Sequence, residues 1–573
     1  MKTNVLYFGD NLTILRNREY FPDECVDLIY LDPPFNSKKD YNVLFKENGG
    51  VESEAQIKAF TDTWHWGENA QNTYHDIQQN GPMKVGKLIY ALYESLGQND
   101  VMAYLVMMTA RLIELHRVLK PTGSLYLHCD PAASHYLKIV LDQIFSPGNF
   151  RNEIVWRRSK AHNKLSRQYG PIHDTILFYS KSAKTTVHPP RRAHFQKYVE
   201  EMFSNNDEKG RYRVNELTGS GIRHGDSGKP WKGYDPTSRG RHWAISAKLL
   251  EGQESKSLTP QEMLDVLDSK GLVIYPRDMK GLPRYKQYLQ DDDGVLAQDI
   301  WAYVPYSEGM LFGSPEGVDE DVRWLESEEE RMGFQTQKPL GLLERIISAS
   351  SNEGDIVLDP FCGCGTAVVA AQKLNRKWLG IDVTHLAINL MRNRLRDSFG
   401  IKAEVIGEPA DLSGAKELAR NDRYQFQFWA TGLIGARPVG EKKKGADAGI
   451  DGVITFIDDT TNKPKRVIVQ VKSGHVGVAT VRELADVSAD EAIGVLITLE
   501  PPTEPMRQKA MSAGYYHSPV WNKDYDKIQI LTVEELLGGR TVNMPQQTQT
   551  SVTFAKAPKI TAKEGEQLEM GKE

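Results

Sequence analysis

Cysteine is scarce: Cys25, Cys129, Cys362 and Cys364 are the only four in 573 residues. That excludes a disulfide scaffold and suits a reducing cytosol. Cys362 and Cys364 flank one glycine, but no second pair with ligand spacing accompanies them, so both read as small loop residues rather than zinc ligands. No run approaches the ~20 apolar residues of a membrane span. The N-terminal stretch MKTNVLYFGDNLTIL lacks a signal-peptide layout, so no membrane partner is expected and the cytoplasm is the expected compartment. Internal repeats are absent, and a net charge of −5 with 26% charged residues announces no global affinity for nucleic acid. Charge is instead concentrated locally: residues 156–245 carry 18 Lys and Arg against 8 Asp and Glu, an excess of 10 positive charges that could meet phosphates or form a solvated basic face.

The length exceeds what one small core needs and suggests three or four units. Short apolar runs alternate with helical spacing: VDLIYLD, residues 101–120, PTGSLYLHCD and residues 132–144, then again KPLGLLERIISASS, DIVLDPF, TAVVAAQKLN, KWLGID and residues 384–396. Strands separated by helices predict an α/β fold with a parallel sheet covered on both faces. Between the two halves lies a Gly-, Lys/Arg- and aromatic-rich region. The expected boundaries are 1–183 and 334–411 for one α/β domain, 184–333 for its insertion, 412–542 for a second α/β domain, and 543–573 for a disordered tail rich in Gln, Thr, Lys and Glu. LSGAKELARNDRYQFQFWATGLI reads as a helix, GIDGVITFID and KRVIVQVKSG as two strands, and the stretches after them as a helix and a strand.

Two stretches of the first domain carry chemistry. In DIVLDPFCGCGTAVVAA a buried strand runs through Asp359, Pro360, Phe361, Gly363, Gly365 and Thr366 into a helix. Glycines there let a backbone approach a nucleoside, and helix-start N–H groups can hold a carboxylate. Asp382 closes the next strand, where a carboxylate could accept from two ribose hydroxyls. Ordinary strand-to-helix turns also use glycine, and the dinucleotide fingerprint is not met, because no third glycine follows at the expected place. In VDLIYLDPPF the acid Asp32 precedes Pro33, Pro34 and Phe35. An exocyclic amine on a nucleobase is a poor nucleophile because its lone pair is delocalised into the ring. The Asp32 carboxylate and the Pro33 carbonyl, both accepting from it, would favour a pyramidal nitrogen. Consecutive prolines stiffen the loop, and Phe35 would stack on a base drawn out of the duplex.

The motif Asp359-Pro360-Phe361-Cys362-Gly363-Cys364-Gly365-Thr366, with LDPPF ahead of it, resembles those of the beta class of DNA amino-methyltransferases. The resemblance covers most of residues 1–410. It implies a Rossmann-like methyltransferase fold and S-adenosylmethionine as cofactor, with contacts from Asp10, Lys338, Asp359, Pro360, Phe361, Gly363, Gly365, Thr366 and Asp382. It also implies catalysis by Asp32, Pro33, Pro34 and Phe35, double-stranded DNA as partner, and target recognition by the insertion. Within the insertion, SGKPWKGYDPTSRGRHWA offers Lys, Arg and Trp side chains suited to phosphate, base edges or groove packing. Asp at the first catalytic position accompanies adenine N6 methylation in the family and Ser accompanies cytosine N4 methylation; Asp32 therefore favours adenine, with cytosine as the alternative. Phe35 departs from the commoner Tyr and keeps the ring.

In the second domain, Asp451 begins one strand and Gln470 and Lys472 lie on the next. A carboxylate and an amide oxygen converging across neighbouring strands can hold Mg²⁺, with a lysine on the same face. GIDGVI followed by VIVQVKSG resembles the Mrr-type PD-(D/E)xK nucleases, in which Gln often replaces the acid. That implies catalysis by Asp451, Gln470 and Lys472, with Asp451 and Gln470 as metal ligands. An acid from the first helix completes the site in some members; Glu417 is present, and YQFQFWA offers only glutamines. The leading expectation is a restriction-modification polypeptide that methylates adenine and cleaves DNA, assembling as a homodimer. A second account keeps the methyltransferase and makes the terminal module a noncleaving DNA binder. A third, a protein-glutamine methyltransferase, predicts neither the basic insertion nor the nuclease-like tail.

Overall fold

A computed structural model describes residues 1–34, 40–46, 52–61, 65–161, 169–250, 258–278, 280–292, 294–307, 309–325, 330, 337–439, 449–458 and 464–545. Phe35 and most of the expected tail lie outside them. The chain folds into two compact units, residues 189–298 with 304–320, and the remainder. The expected insertion, 184–333, is thus too wide. Residues 299–303 return to the larger unit, where Ile300 and Trp301 pair in parallel with Val155 and Trp156, and Trp156 Nε1 donates to the Val322 carbonyl at 2.7 Å.

The larger unit is built on nine strands: β1 (Val5–Phe8), β2 (Val26–Leu31), β3 (Leu119–Cys129), β4 (Phe150–Arg157), β5 (His173–Ser180), β6 (Ile300–Trp301), β7 (Ile356–Asp359), β8 (Lys377–Asp382) and β9 (Glu404–Ile406). Their order is β6-β4-β5-β3-β2-β7-β8-β1-β9. The pairs from β3 through β9 are parallel, as the alternation with helices requires. β5 corrects the all-parallel expectation: it runs antiparallel to both β3 and β4.

Side chains alternate across this sheet with period two. Ile29, Leu31, Leu358, Leu379 and Ile381 face one core, shared with α2 (Asp100–Val118) and α3 (Pro131–Phe145). Leu28, Tyr30, Val357 and Trp378 face the other, shared with α4 (Leu340–Ser350), α5 (Thr366–Lys373) and α6 (His385–Phe399). β2 is almost wholly buried on both faces, which is why it reads as an unbroken apolar run.

The C-terminal region belongs to the same unit. The expected single helix is two, α7 (Leu412–Asn421) and α8 (Arg423–Leu433), because the Asp422 carboxylate accepts from the Tyr424 and Gln425 N–H groups and so starts a new helix. A five-stranded sheet follows in the order β10 (Arg437–Pro438), β11 (Gly452–Ile457), β12 (Pro464–Lys472), β13 (Ile493–Thr498) and β14 (Ile528–Thr532). α9 (Val478–Val487) makes the crossover from β12 to the parallel β13.

The smaller unit has a four-stranded antiparallel sheet and its own core of Leu217, Trp231, Tyr234, Trp243, Leu250, Leu264 and Leu267. Trp231 and Trp243, expected among the DNA-reading side chains, are buried there. Trp231 Nε1 donates to Asp265 at 2.8 Å and Trp243 Nε1 to the Lys229 carbonyl at 2.9 Å, so their aromatic area serves folding.

Candidate functional site

Three acids gather on one face at the carboxyl edge of the sheet. Asp359 ends β7 and is level with Gly380 on β8; in the register on the other side it is level with Tyr30 on β2. Asp382 and Asp32 each lie two residues farther along the flanking strands, on the face of Trp378 and of Tyr30 respectively. With strands about 4.8 Å apart, the Asp32 and Asp382 backbones stand about 10 Å from one another across Asp359. Ligands of open α/β sheets bind at this edge.

Lys338, immediately before α4, places its ammonium on the Asp32 carboxylate in a pair nearly closed to solvent. The resemblance implied a cofactor contact for Lys338; the structure sets it against Asp32, the acid expected to be catalytic. Pro33 is buried beside it and Pro34 half-buried. Asp359 is fully buried, and its Oδ1 accepts from the Phe361 N–H at 3.0 Å. Burial, and then the negative charges of Asp32 and Asp382, push its carboxyl well above the usual carboxylate range. Asp382 is raised as well, chiefly by burial, although it accepts from the Gly363 N–H, the Thr384 N–H and the Thr384 hydroxyl, each at 2.9 Å.

The turn between β7 and α5 is shaped by glycine. Gly363 and Gly365 have φ of +47° and +75°. A Cβ on Gly365 would sit 2.5 Å from Met391 Cγ, so both its backbone conformation and its neighbour on α6 demand glycine. Thr366 is turned inward, its hydroxyl 3.2 Å from Arg394 Nη1, which also donates to the Cys364 carbonyl. Cys362 and Cys364 are buried free thiols, as loop residues should be. Phe361 is half-buried against the α2 side of the sheet.

A network that sequence reasoning missed ties this turn to the N-terminus. Asn11 Nδ2 donates to the Pro360 carbonyl at 2.7 Å, Arg111 Nε donates to Asn11 Oδ1 at 2.6 Å, and Arg111 Nη2 pairs with Asp10 Oδ2 at 2.6 Å. Asp10, expected at the cofactor, also caps α1 (Asn11–Arg16) by accepting from the Thr13 N–H. The visible signal was one arginine inside the apolar pattern of α2. A second buried relay lies under Asp32: Tyr30 Oη is 3.1 Å from His128 Nδ1, and His128 Nε2 is 3.1 Å from Asp174 Oδ2. Its members sit in VDLIYLD, LYLHCD and HDTILFYSK, stretches in which they have no assigned role.

These residues suit S-adenosylmethionine. A turn held at positive φ by Gly363 and Gly365 and an acid-rich floor match a nucleoside diol and a positively charged methyl donor. Asp382, Gly363, Gly365 and Asp359 are the residues that would hold it.

The second set of candidates does not suit Mg²⁺. Asp451 Oδ2 accepts from the Val471 N–H at 2.6 Å, and burial pushes its carboxyl up to about 6. Gln470 is buried on β12 and Lys472 half-buried two residues on. Glu417 is exposed on α7, which packs on α8, and Gln425 is engaged by the His385 N–H. Among the described residues Asp451 is therefore the one anionic ligand brought to Gln470, and no group of three or more His, Cys, Asp or Glu with metal-binding placement occurs among them. A hard dication drawing on oxygen ligands needs more.

The family N6_N4_Mtase, described as DNA methylase, matches residues 26–393, and the family described as NACHT-associated inactive Restriction Endonuclease 1 matches residues 436–538. The DNA adenine methyltransferase YhdJ of Escherichia coli (strain K12) is 44% identical over 407 residues, covering 71% of this chain and 87% of that protein. The type II methyltransferase M.EcaI of Enterobacter cloacae is 32% identical over 332 residues, 57% of this chain and 65% of its own length. The StyLTI Mod subunit, a type III restriction-modification enzyme of Salmonella typhimurium, is 26% identical over 379 residues and is spanned over 50% of its length. Among solved structures, the cytosine-N4-specific PvuII DNA methyltransferase aligns over 68% of this chain and 86% of its own at 12% identity and a TM-score of 0.29, which bears on neither site nor specificity. No helix among the described residues is long and apolar enough to cross a membrane. The chain belongs to the N6_N4_Mtase family of DNA methylases.

Proposed function

We propose that the chain methylates adenine N6 in double-stranded DNA at a site read by its smaller unit, as the modification component of a restriction-modification system. The observation that carries the reading is the convergence of Asp32, on its rigid Pro-Pro corner, with Asp359 and Asp382 on adjacent strand ends beside a glycine-shaped turn. The adenine specificity named for YhdJ, and Asp rather than Ser at position 32, support the choice of base.

S-adenosylmethionine supplies an electrophilic methyl group on a positively charged sulfur. Asp32 and the Pro33 carbonyl accept from the two amine hydrogens, which moves the nitrogen lone pair out of ring conjugation and aims it. As the nitrogen becomes cationic, Asp32 is the acceptor at hand for the proton it must shed. Lys338 fixes the carboxylate in place before the base arrives. Pro33 and Pro34 keep the carbonyl from turning away.

The C-terminal module is proposed to bind DNA without cleaving it, since among the described residues Asp451 stands without a second acid and the matching family is described as inactive. Mass spectrometry of nucleosides from DNA incubated with the chain and S-adenosylmethionine tests the first claim: N6-methyladenine is expected, and N4-methylcytosine in its place refutes it. Supercoiled plasmid with Mg²⁺ tests the second, since any nicking lost in Lys472→Ala would establish a nuclease.

A further inference from the structure

The methylase match ends at residue 393, inside α6, yet the first turn of α6 is completed from beyond it. A helix leaves its first N–H groups without intrahelical partners. Thr384 caps one, accepting from the Ala387 N–H at 3.2 Å, and is itself held by the Asp382 carboxylate. The His385 N–H donates instead to Gln425 Oε1 at 2.9 Å, a side chain of α8. One turn along, Asn389 Nδ2 donates to the Phe428 carbonyl at 3.1 Å, and a Cβ on Gly432 would lie 2.2 Å from that same nitrogen. Residues 425, 428 and 432 of α8 therefore meet 385 and 389 of α6 along one close-packed seam. The His385 ring is fully buried and stacks on Phe8, centroids 3.6 Å apart, and Phe8 is the register partner of Asp382. The seam thus ends three residues after Asp382 on β8 and, through Phe8, one residue before the Gly9–Asp10 turn that follows β1.

We propose that Gln425 is a positioning residue for the donor site: by holding the His385 N–H it fixes the start of α6, and with it Thr384 and Asp382, so that the C-terminal module completes the cofactor half. This rests on the reading that Asp382 holds S-adenosylmethionine. Whatever the module does to DNA, its first helices are then part of the methyltransferase.

The test uses the full chain with Gln425→Met, which keeps the side-chain length and removes the acceptor, and Gln425→Glu, which restores one. Gln425→Met is expected to raise the donor Kd and KM about fivefold, the worth of one backbone hydrogen bond, with kcat and the KM for DNA unchanged. Gln425→Glu should return both donor constants to near wild type, since a carboxylate accepts the same N–H and suits the positive end of the helix. Hydrogen exchange on the wild type needs no variant: donor binding should slow exchange in both 382–389 and 423–432. Unchanged donor affinity in Gln425→Met, failure of folded Gln425→Glu to restore it, or slowing confined to 382–389 would overturn the assignment. If wild-type chain binds no donor by calorimetry, the donor-site reading itself falls; normal wild-type binding with any of those three results removes only the role of Gln425.

Discussion

Replacing Arg111 by Met tests whether the buried network behind the glycine turn holds the donor site together. Burial lowers the Arg111 pKa despite its pair with Asp10, so removing the guanidinium relieves a desolvated charge. Against that gain, Asn11 Oδ1 loses its Nε donor in a buried position, at about 1–3 kcal/mol. The Asp10 carboxylate is about half exposed and can rehydrate, so its lost pair is worth at most about 1 kcal/mol. The net expectation is a loss of about 2 kcal/mol in urea unfolding, and weaker donor binding because Asn11 carries the Pro360 carbonyl. A double-mutant cycle separates the parts: Asn11→Ala should cost about 1–2 kcal/mol less in the Arg111→Met background than alone, since neighbours in one network are not additive. Additive losses would refute the network. A stable Arg111→Met with normal donor affinity would show that Asp10 and Asn11 hold the turn without it.

Asp32→Ala should abolish methyl incorporation into DNA while S-adenosylmethionine still binds by calorimetry; retained incorporation would remove Asp32 from the chemistry. Gly365→Ala should weaken donor binding at least tenfold, because the new Cβ meets Met391 and the backbone stays at φ +75°, and titration of the variant reads this directly. Asp451 has its carboxyl raised from 3.8 to about 6, so the folded chain binds the extra proton and stability falls as pH rises from about 4 to 6. Asp451→Asn should therefore stabilise the chain by about 2 kcal/mol at pH 8 and by nothing at pH 4; equal effects at both pH values in chemical unfolding would contradict the burial argument.

Strands closed by an acid were the legible part of the sequence. VDLIYLD, DIVLDPF and KWLGID each read as a buried strand ending in a carboxylate, and parallel strands covered on both faces have to look like that. HDTILFYS has the same apolar run, so nothing in its composition tells that β5 is antiparallel. β6 is two residues long and gives no period to read. Trp231 and Trp243 sit among basic residues, and only their place in the small core separates a folding role from a binding one. The break at Asp422 falls inside a continuous helical spacing, and the pair Asn421-Asp422, residue types that favour caps over helix interiors, was the signal that marks it. The Lys338 to Asp32 pair spans 306 residues and was beyond any local pattern.

That long-range pair explains how three acids can share one sheet edge. Burial first, and then the charges of the two flanking carboxyls, raise the middle acid Asp359 well above the usual carboxylate range. Lys338 opposes it from one side, since its charge lowers both Asp359 and Asp174, but it is already committed to Asp32. On the other side the donors to Asp382 among the described residues are neutral: the backbone N–H groups of Gly363, Val383 and Thr384 and the Thr384 hydroxyl. Arg394 meets the glycine turn at Cys364 and Thr366 and not at Asp382, so a cationic ligand beside Asp382 gains what a neutral one of the same shape cannot. On the proposed reading, a donor that loses its charge on reaction would be held less tightly beside Asp32, Asp359 and Asp382 after transfer than before it.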